Sequence, residues 1–198
     1  VLFPLFASPM AGFVIGLLMM VLIFNVFRRM NPHLMNDVFR RLQVLSAAYM
    51  AFSHGSNDAQ KTMGIMTLAL VTAGIQSTFD PPLWVILVAA TAISLGTAAG
   101  GWRIIRTMGT KVVKLDPVHG FAAETTAASI IFGASQVGMP VSTTHVISSA
   151  IMGTGSADRF NAVRWAVARN IGIAWVLTLP AAGGTAALAY VLLRPILG

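Results

Sequence analysis

Apolar positions in this sequence fall in long runs rather than at alternating or one-faced spacing. The first run, Leu5 to Phe27, holds about 23 residues without a charge, enough to cross a hydrocarbon layer at about 1.5 Å per residue. Arg28 and Arg29 close it, Asn31-Pro32 starts a turn, and His33 to Arg41 reads as a short amphipathic helix on a membrane surface. The second run, Gln43 to Gly74, is too long for one regular crossing and is polar in its middle, from Ser53 to Lys61. It predicts two half-helices broken near residues 55–58, with Asn57 and Asp58 capping the second. A loop from Ile75 to Pro81 precedes the third run, Leu83 to Trp102, and a basic linker with Arg103, Arg106, Lys111 and Lys114 follows it. Two apolar pieces come next, His119 to Val137 and Val141 to Met152, joined at Gly138-Met139-Pro140. Gly138 suits a helix end and Pro140 a helix start. The last run, Ile171 to Leu193, carries Pro180 and Gly183-Gly184 and is expected to bend.

Composition sharpens this picture. The chain is 56% apolar and 10% charged, against about 25% charged in an average soluble protein. That excludes a disordered chain and an ordinary soluble domain. The expected fold is an all-α integral membrane bundle, one transmembrane domain over residues 1–198 with spans at 5–27, 43–74, 83–102 and 171–193. There is no cysteine, hence no disulfide or thiolate metal site. The chain begins without Met and without a signal peptide, and reads as a fragment of a longer polypeptide.

The net charge of +7 marks cytoplasmic loops rather than nucleic-acid binding. Basic residues follow the first run (Arg28 to Arg41) and the third (Arg103 to Lys114), and none lies between the second and third. Arg159, Arg164 and Arg169 belong on the same inner face, with Arg194 the one basic residue on the wrong side. The segment from 119 to 152 must then leave and return on one face. The second piece, at about 12 residues, is too short to span, which favours a re-entrant hairpin (119–137 and 141–152) over two full crossings.

Non-helical backbone is tolerated in lipid only where it lines a cavity. Both predicted interruptions are rich in polar groups. Asp58 and Lys61 are ionisable groups near mid-run, where function is the default reading and a structural ion pair the bland one. At i,i+3 they share a face. His54 reads more readily as a hydrogen-bonded structural residue. At the hairpin tip, Ser142, Thr143 and Thr144 put hydroxyls and free N–H groups at the positive end of a helix, suited to an oxyanion such as phosphate. Helix capping alone is the competing reading. Glu124 is a proton carrier, a cation ligand or the partner of a buried base, unless it lies near the surface. Asp116, His119 and Asp158 read as solvated or capping residues at the interface. No spacing among His54, His119 and His145 supports a metal site, and Gly12/Gly16 is a weak helix-packing signal.

The run from Phe52 to Met66, FSHGSNDAQKTMGIM, resembles a signature of the inorganic phosphate transporter (Pit) family. Pro140 to His145, PVSTTH, resembles the family's hairpin motif, and Pro117 to Thr126 also looks like that family. The resemblance covers roughly residues 45 to 190 and implies an inverted-repeat transporter of which this chain is the C-terminal repeat with a preceding span. It implies symport of phosphate with Na+ or H+ across a bacterial inner membrane, with no other cofactor and no metal. Phosphate would contact Ser142, Thr143 and Thr144, with Asn57 and Gln60 nearby. Asp58 would take the cation or proton, supported by Glu124, Lys61, His54 and His145. Membrane lipid and a missing N-terminal repeat are the implied partners, and a homo-oligomer is compatible.

Other readings fit less well. An intramembrane hydrolase needs a nucleophile–base pair or a metal, and neither spacing is present, so an enzyme is not expected. A non-transporting scaffold has no need of ionisable groups at mid-depth. Hydroxyls and amides alone do not distinguish phosphate from another oxyanion such as sulfate.

Overall fold

A turn at Arg28–Asn31 separates the first two helices of the computed structural model, which describes residues 2–107, 112–113 and 115–197. Lys111 and Lys114 of the basic linker, and the side chain of Arg103, lie outside the described residues. The helices are α1 (Leu2–Phe27), α2 (Pro32–Thr72), α3 (Leu83–Thr107), α4 (Pro117–Gln136), α5 (Thr143–Asp158) and α6 (Trp165–Leu197), with a short 3₁₀ turn at Phe160–Ala162. No strand occurs among the described residues. The chain forms two units, Val1–Val163 and Arg164–Gly198. The second holds α6, which passes through Pro180 and Gly183-Gly184 without interruption.

Among the described residues, three helices contain stretches long and apolar enough to cross a membrane: Phe3–Phe27, Leu83–Trp102 and Trp165–Arg194. Large apolar side chains such as Phe6, Leu22, Leu83 and Leu95 point outward. Small and polar ones fill the inside of the first unit, among them Ala122, Ala127, Thr126, Ser148 and Ala150. This is the distribution of a bundle whose solvent is lipid, where small residues let helices approach closely. A Cβ on Gly12 would stand 2.8 Å from the Val146 carbonyl, and one on Gly16 2.8 Å from that of Ala150. The small-residue pair therefore sets the crossing of α1 and α5.

The expected break in α2 is absent: the helix runs unbroken for 41 residues, about 60 Å at 1.5 Å per residue. Much of the polar middle finds partners from a helical backbone, while Ser53 Oγ and His54 Nδ1 are buried without a hydrogen bond. Lys61 reaches Asp58 at i,i+3, His54 approaches Asp58 at i,i+4, and Thr62 Oγ1 donates to the Asp58 carbonyl. Gly55 costs only about 1 kcal/mol relative to Ala, too little to end a helix held on both sides. Asn57 and Asp58 are thus mid-helix residues and not caps.

The expected surface helix at 33–41 is likewise the first part of α2. Phe39 is fully buried there, edge-on to Phe27 at 5.4 Å and to Phe121 at 5.3 Å, which fixes the segment against α1 and α4. Asn31 caps it by accepting the His33 N–H, with Pro32 at the first turn.

The hairpin of α4 and α5 turns at Gly138, whose φ of +68° is the left-handed conformation that favours glycine. A paired set of backbone hydrogen bonds closes the end of α4: Met139 N–H donates to the Ala134 carbonyl and Gly138 N–H to that of Ser135. Pro140 and Val141 precede the next helix, and α5 starts at Thr143 with Ser142 as its cap. The second arm is 16 residues long rather than about 12, because it continues through Gly153 and Gly155 to Asp158.

His119, expected to be solvated or a helix cap, is neither. It is buried, with Nδ1 2.8 Å from Asp116 Oδ1 and Nε2 2.9 Å from Asp158 Oδ2. Asp116 caps α4, as expected.

Candidate functional site

The middle of α2 and the tip of the hairpin meet. Asn57 is buried on the face of α2 that packs against α4, in line with Ser46 and Ser53. Its Nδ2 donates to the Val141 carbonyl at 3.3 Å, and its Oδ1 accepts from Ser135 Oγ at 3.3 Å. The amide thus fastens both sides of the hairpin turn to α2. One residue on, half-buried Asp58 accepts from Asn57 Nδ2 at 3.3 Å and gathers three further polar neighbours. Lys61 Nζ lies 3.0 Å from Oδ1, Thr143 Oγ1 donates to Oδ2 at 3.4 Å, and His54 Nδ1 stands 3.5 Å from Oδ2. Lys61 also donates to the Val141 carbonyl at 2.5 Å.

The helix end faces this cluster. Ser142 Oγ accepts the His145 N–H at 3.4 Å, as an N-cap does. Thr143 is buried beside Asp58, while Thr144 is exposed. Thr143, Thr144, His54 and Glu124 all border one cleft of about 580 Å³ among α2, α3, α4 and α5. The rest of its wall is largely apolar, including Met50 and Ile147. A few convergent polar groups in an apolar cleft are the usual make-up of a small-molecule site.

Glu124 is half-buried and accepts from Ser46 Oγ at 2.5 Å. It reaches the cleft from α4, while Asp58 reaches the tip from α2. Gln60 is exposed and donates to Ser56 Oγ at 3.5 Å on its own helix, so it does not join the residues bonded to the tip. His145 is half-buried in the first turn of α5. Among the described residues, no group of three or more His, Cys, Asp or Glu is placed to hold a metal ion.

Three contributors escape a reading of polar signature side chains: two serines outside the signatures and one backbone carbonyl within them. Ser46 holds Glu124, Ser135 holds Asn57, and the Val141 carbonyl receives both Asn57 and Lys61. Ser46, Ser53 and Asn57 recur at i, i+7 and i+11 and are buried together, a polar stripe visible in the sequence. A backbone carbonyl leaves no such mark.

Known proteins are similar to this chain in sequence and in fold. The model of the phosphate transporter family matches residues 26–186. A probable low-affinity inorganic phosphate transporter of Bacillus subtilis is 46% identical over 97% of this chain and 58% of its own length. A protein of the same description from Rhizobium meliloti is 49% identical over 92% of this chain and 55% of its own length. The chain therefore spans little more than half of these curated relatives, which are named as transporters and not as enzymes. A solved structure described as "The sodium-dependent phosphate transporter" superposes with a TM-score of 0.72 at 34% identity, covering 82% of this chain and 41% of that one.

Proposed function

The chain belongs to the phosphate transporter family, and from that premise we propose that the complete polypeptide carries inorganic phosphate across the membrane in symport with a cation. The observation that carries this reading is the junction of Asn57, Asp58 and Lys61 with Val141 and Thr143. Phosphate is held at the N-terminus of α5 by Ser142, Thr143 and Thr144, where hydroxyls and the helix dipole offer positive potential without a permanent charge. Neutral donors bind an anion and still release it. Asp58 takes the coupling cation, and Thr143, touching both groups, links the two events. Asn57 acts through the tip it anchors, and Glu124 supports the cleft.

In this reading the hairpin is re-entrant, entering and leaving on the face of Arg28–Arg41. Its second arm of 16 residues covers about 24 Å at 1.5 Å per residue, short of a hydrocarbon core of about 30 Å. Na+ is the coupling ion, a choice supported by the sodium dependence for which the structural neighbour is named and by the hard oxygen of Asp58.

Radiolabelled phosphate uptake by the complete protein in proteoliposomes tests the proposal, with Na+ removed and pH varied independently. Uptake is expected to vanish without Na+ at constant pH. Uptake that persists without Na+ and follows a proton gradient would move the coupling to H+. No phosphate uptake under either gradient, or equal competition by sulfate, would overturn the assignment of substrate.

A further inference from the structure

At the end of the hairpin remote from its tip, a single imidazole stands between two carboxylates. His119 is 7% exposed, and its nitrogens lie 2.8 Å from Asp116 Oδ1 and 2.9 Å from Asp158 Oδ2. Asp116 is the cap that precedes α4, and Asp158 is the last residue of α5. One ring thus joins the two feet of the hairpin.

A neutral imidazole carries one N–H and turns a bare nitrogen lone pair toward its second neighbour. Only the protonated ring turns an N–H and a positive charge toward both carboxylates: Nδ1 is hydrogen-bonded to Asp116, and Nε2 meets Asp158 as an ion-pair contact at 2.9 Å without hydrogen-bond alignment. Among the described residues, the charges that act on the ring are those of Asp116 and Asp158; Phe24 of α1 meets it edge-on at 6.4 Å, and uncharged Gln43 of α2 lies against the next residue, Gly120. A metal does not fit between ring and carboxylate, because both contacts are direct while a bound ion needs about 2 Å on each side. Asp158 also sits at the negative end of α5, where a carboxylate is unfavourable unless a cation faces it. Burial acts to raise the Asp116 carboxyl, yet the hydrogen bonds and charge of His119 outweigh it and hold that carboxyl below its ordinary range.

We propose that His119 is a proton-binding site whose protonated ring clasps the two feet of the hairpin and whose deprotonation frees the α5 foot. The clasp is closed at low pH and opens as pH rises. It does not depend on which oxyanion is carried.

Hydrogen exchange of the complete protein in nanodiscs, corrected for the intrinsic effect of pH, provides the test between about pH 6 and about pH 9. Protection over residues 153–163 is expected to fall about tenfold across that range, while protection at 129–136 stays level. Asp158→Asn should give low, pH-independent protection at 153–163. A flat wild-type profile, or an Asp158→Asn profile like that of wild type, would overturn the proposal. Should Asp158→Asn not fold, ¹⁵N-histidine spectra of the wild type decide: His119 must carry protons on both nitrogens at the acid end and lose one on the way up. A ring that stays a single neutral tautomer throughout would equally end the idea.

Discussion

Lys61 Nζ lies 2.5 Å from the carbonyl oxygen of Val141, 80 positions further along the chain. The same ammonium is 3.0 Å from Asp58 Oδ1. One cation therefore ties the polar middle of α2 to the extended tip of the hairpin. Without it, a carboxylate and a carbonyl face each other with no positive charge between them, a costly arrangement away from bulk water. Lys61→Met is expected to lower phosphate uptake by the complete protein about tenfold or more, with Lys61→Arg retaining more because the charge remains. Uptake by the Met variant at the wild-type rate would remove Lys61 from the working site.

Asp58 accepts from Lys61, Thr143 and Asn57, and His54 Nδ1 stands 3.5 Å from it. Asn in its place keeps the shape and one acceptor but loses the charge that holds a cation. Asp58→Asn is expected to separate the two fluxes: phosphate movement should no longer respond to the cation gradient. Parallel tracer measurements of cation and phosphate in the same vesicles check this. Coupling at the normal stoichiometry and rate would show that the cation is held elsewhere.

Packing of α1 on α5 makes a prediction about stability. A Cβ at position 16 would stand 2.8 Å from the Ala150 carbonyl and 3.2 Å from its Cα, both backbone atoms that cannot turn aside. Gly16→Ala should destabilise the bundle by about 1–3 kcal/mol, the usual cost of overpacking. Gly64, also helical, has open space around its added carbon, so Gly64→Ala should be neutral or stabilising by up to ~1 kcal/mol. Thermal unfolding in detergent compares the two; equal shifts would mean that α1 and α5 are not in close contact at Gly16.

Sequence pattern carried a good part of this structure, for identifiable reasons. The uncharged runs of α1 and α3 and the turn at Gly138 follow from chain length, hydropathy and backbone sterics, all local properties. The approach of Asn57–Lys61 to Val141–Thr143 was legible because polar groups inside a lipid-solvated bundle must find one another. Continuity of α2 was not legible. Whether Ser53 to Lys61 breaks a helix or decorates it depends on partners that sit on α4 and at the tip, far away in sequence. The same holds for His119, whose second carboxylate comes from Asp158 on another helix. Gln60 shows the converse: proximity in sequence to Asn57 and Asp58 does not bring its amide to the tip, because its own helix turns it outward to Ser56.

Thr143 and Thr144 are adjacent, yet the structure separates their tasks. Thr143 is buried with its hydroxyl on Asp58, whereas Thr144 is exposed at the cleft and has no part in that contact. If phosphate is held by both, removal of either hydroxyl costs a hydrogen bond to a charged oxygen, and the half-saturation concentration should rise about tenfold. Only Thr143 also bears on the cation site. Thr144→Val should therefore raise the phosphate requirement alone, while Thr143→Val should raise it and also increase the cation concentration needed for half-maximal uptake. Uptake measured on a grid of phosphate and cation concentrations separates the two effects. Unchanged phosphate dependence in both variants would take the tip out of the phosphate path. A cation effect equal in the two would show that Thr143 does not couple the sites, because its distinguishing contact with Asp58 would then have no consequence.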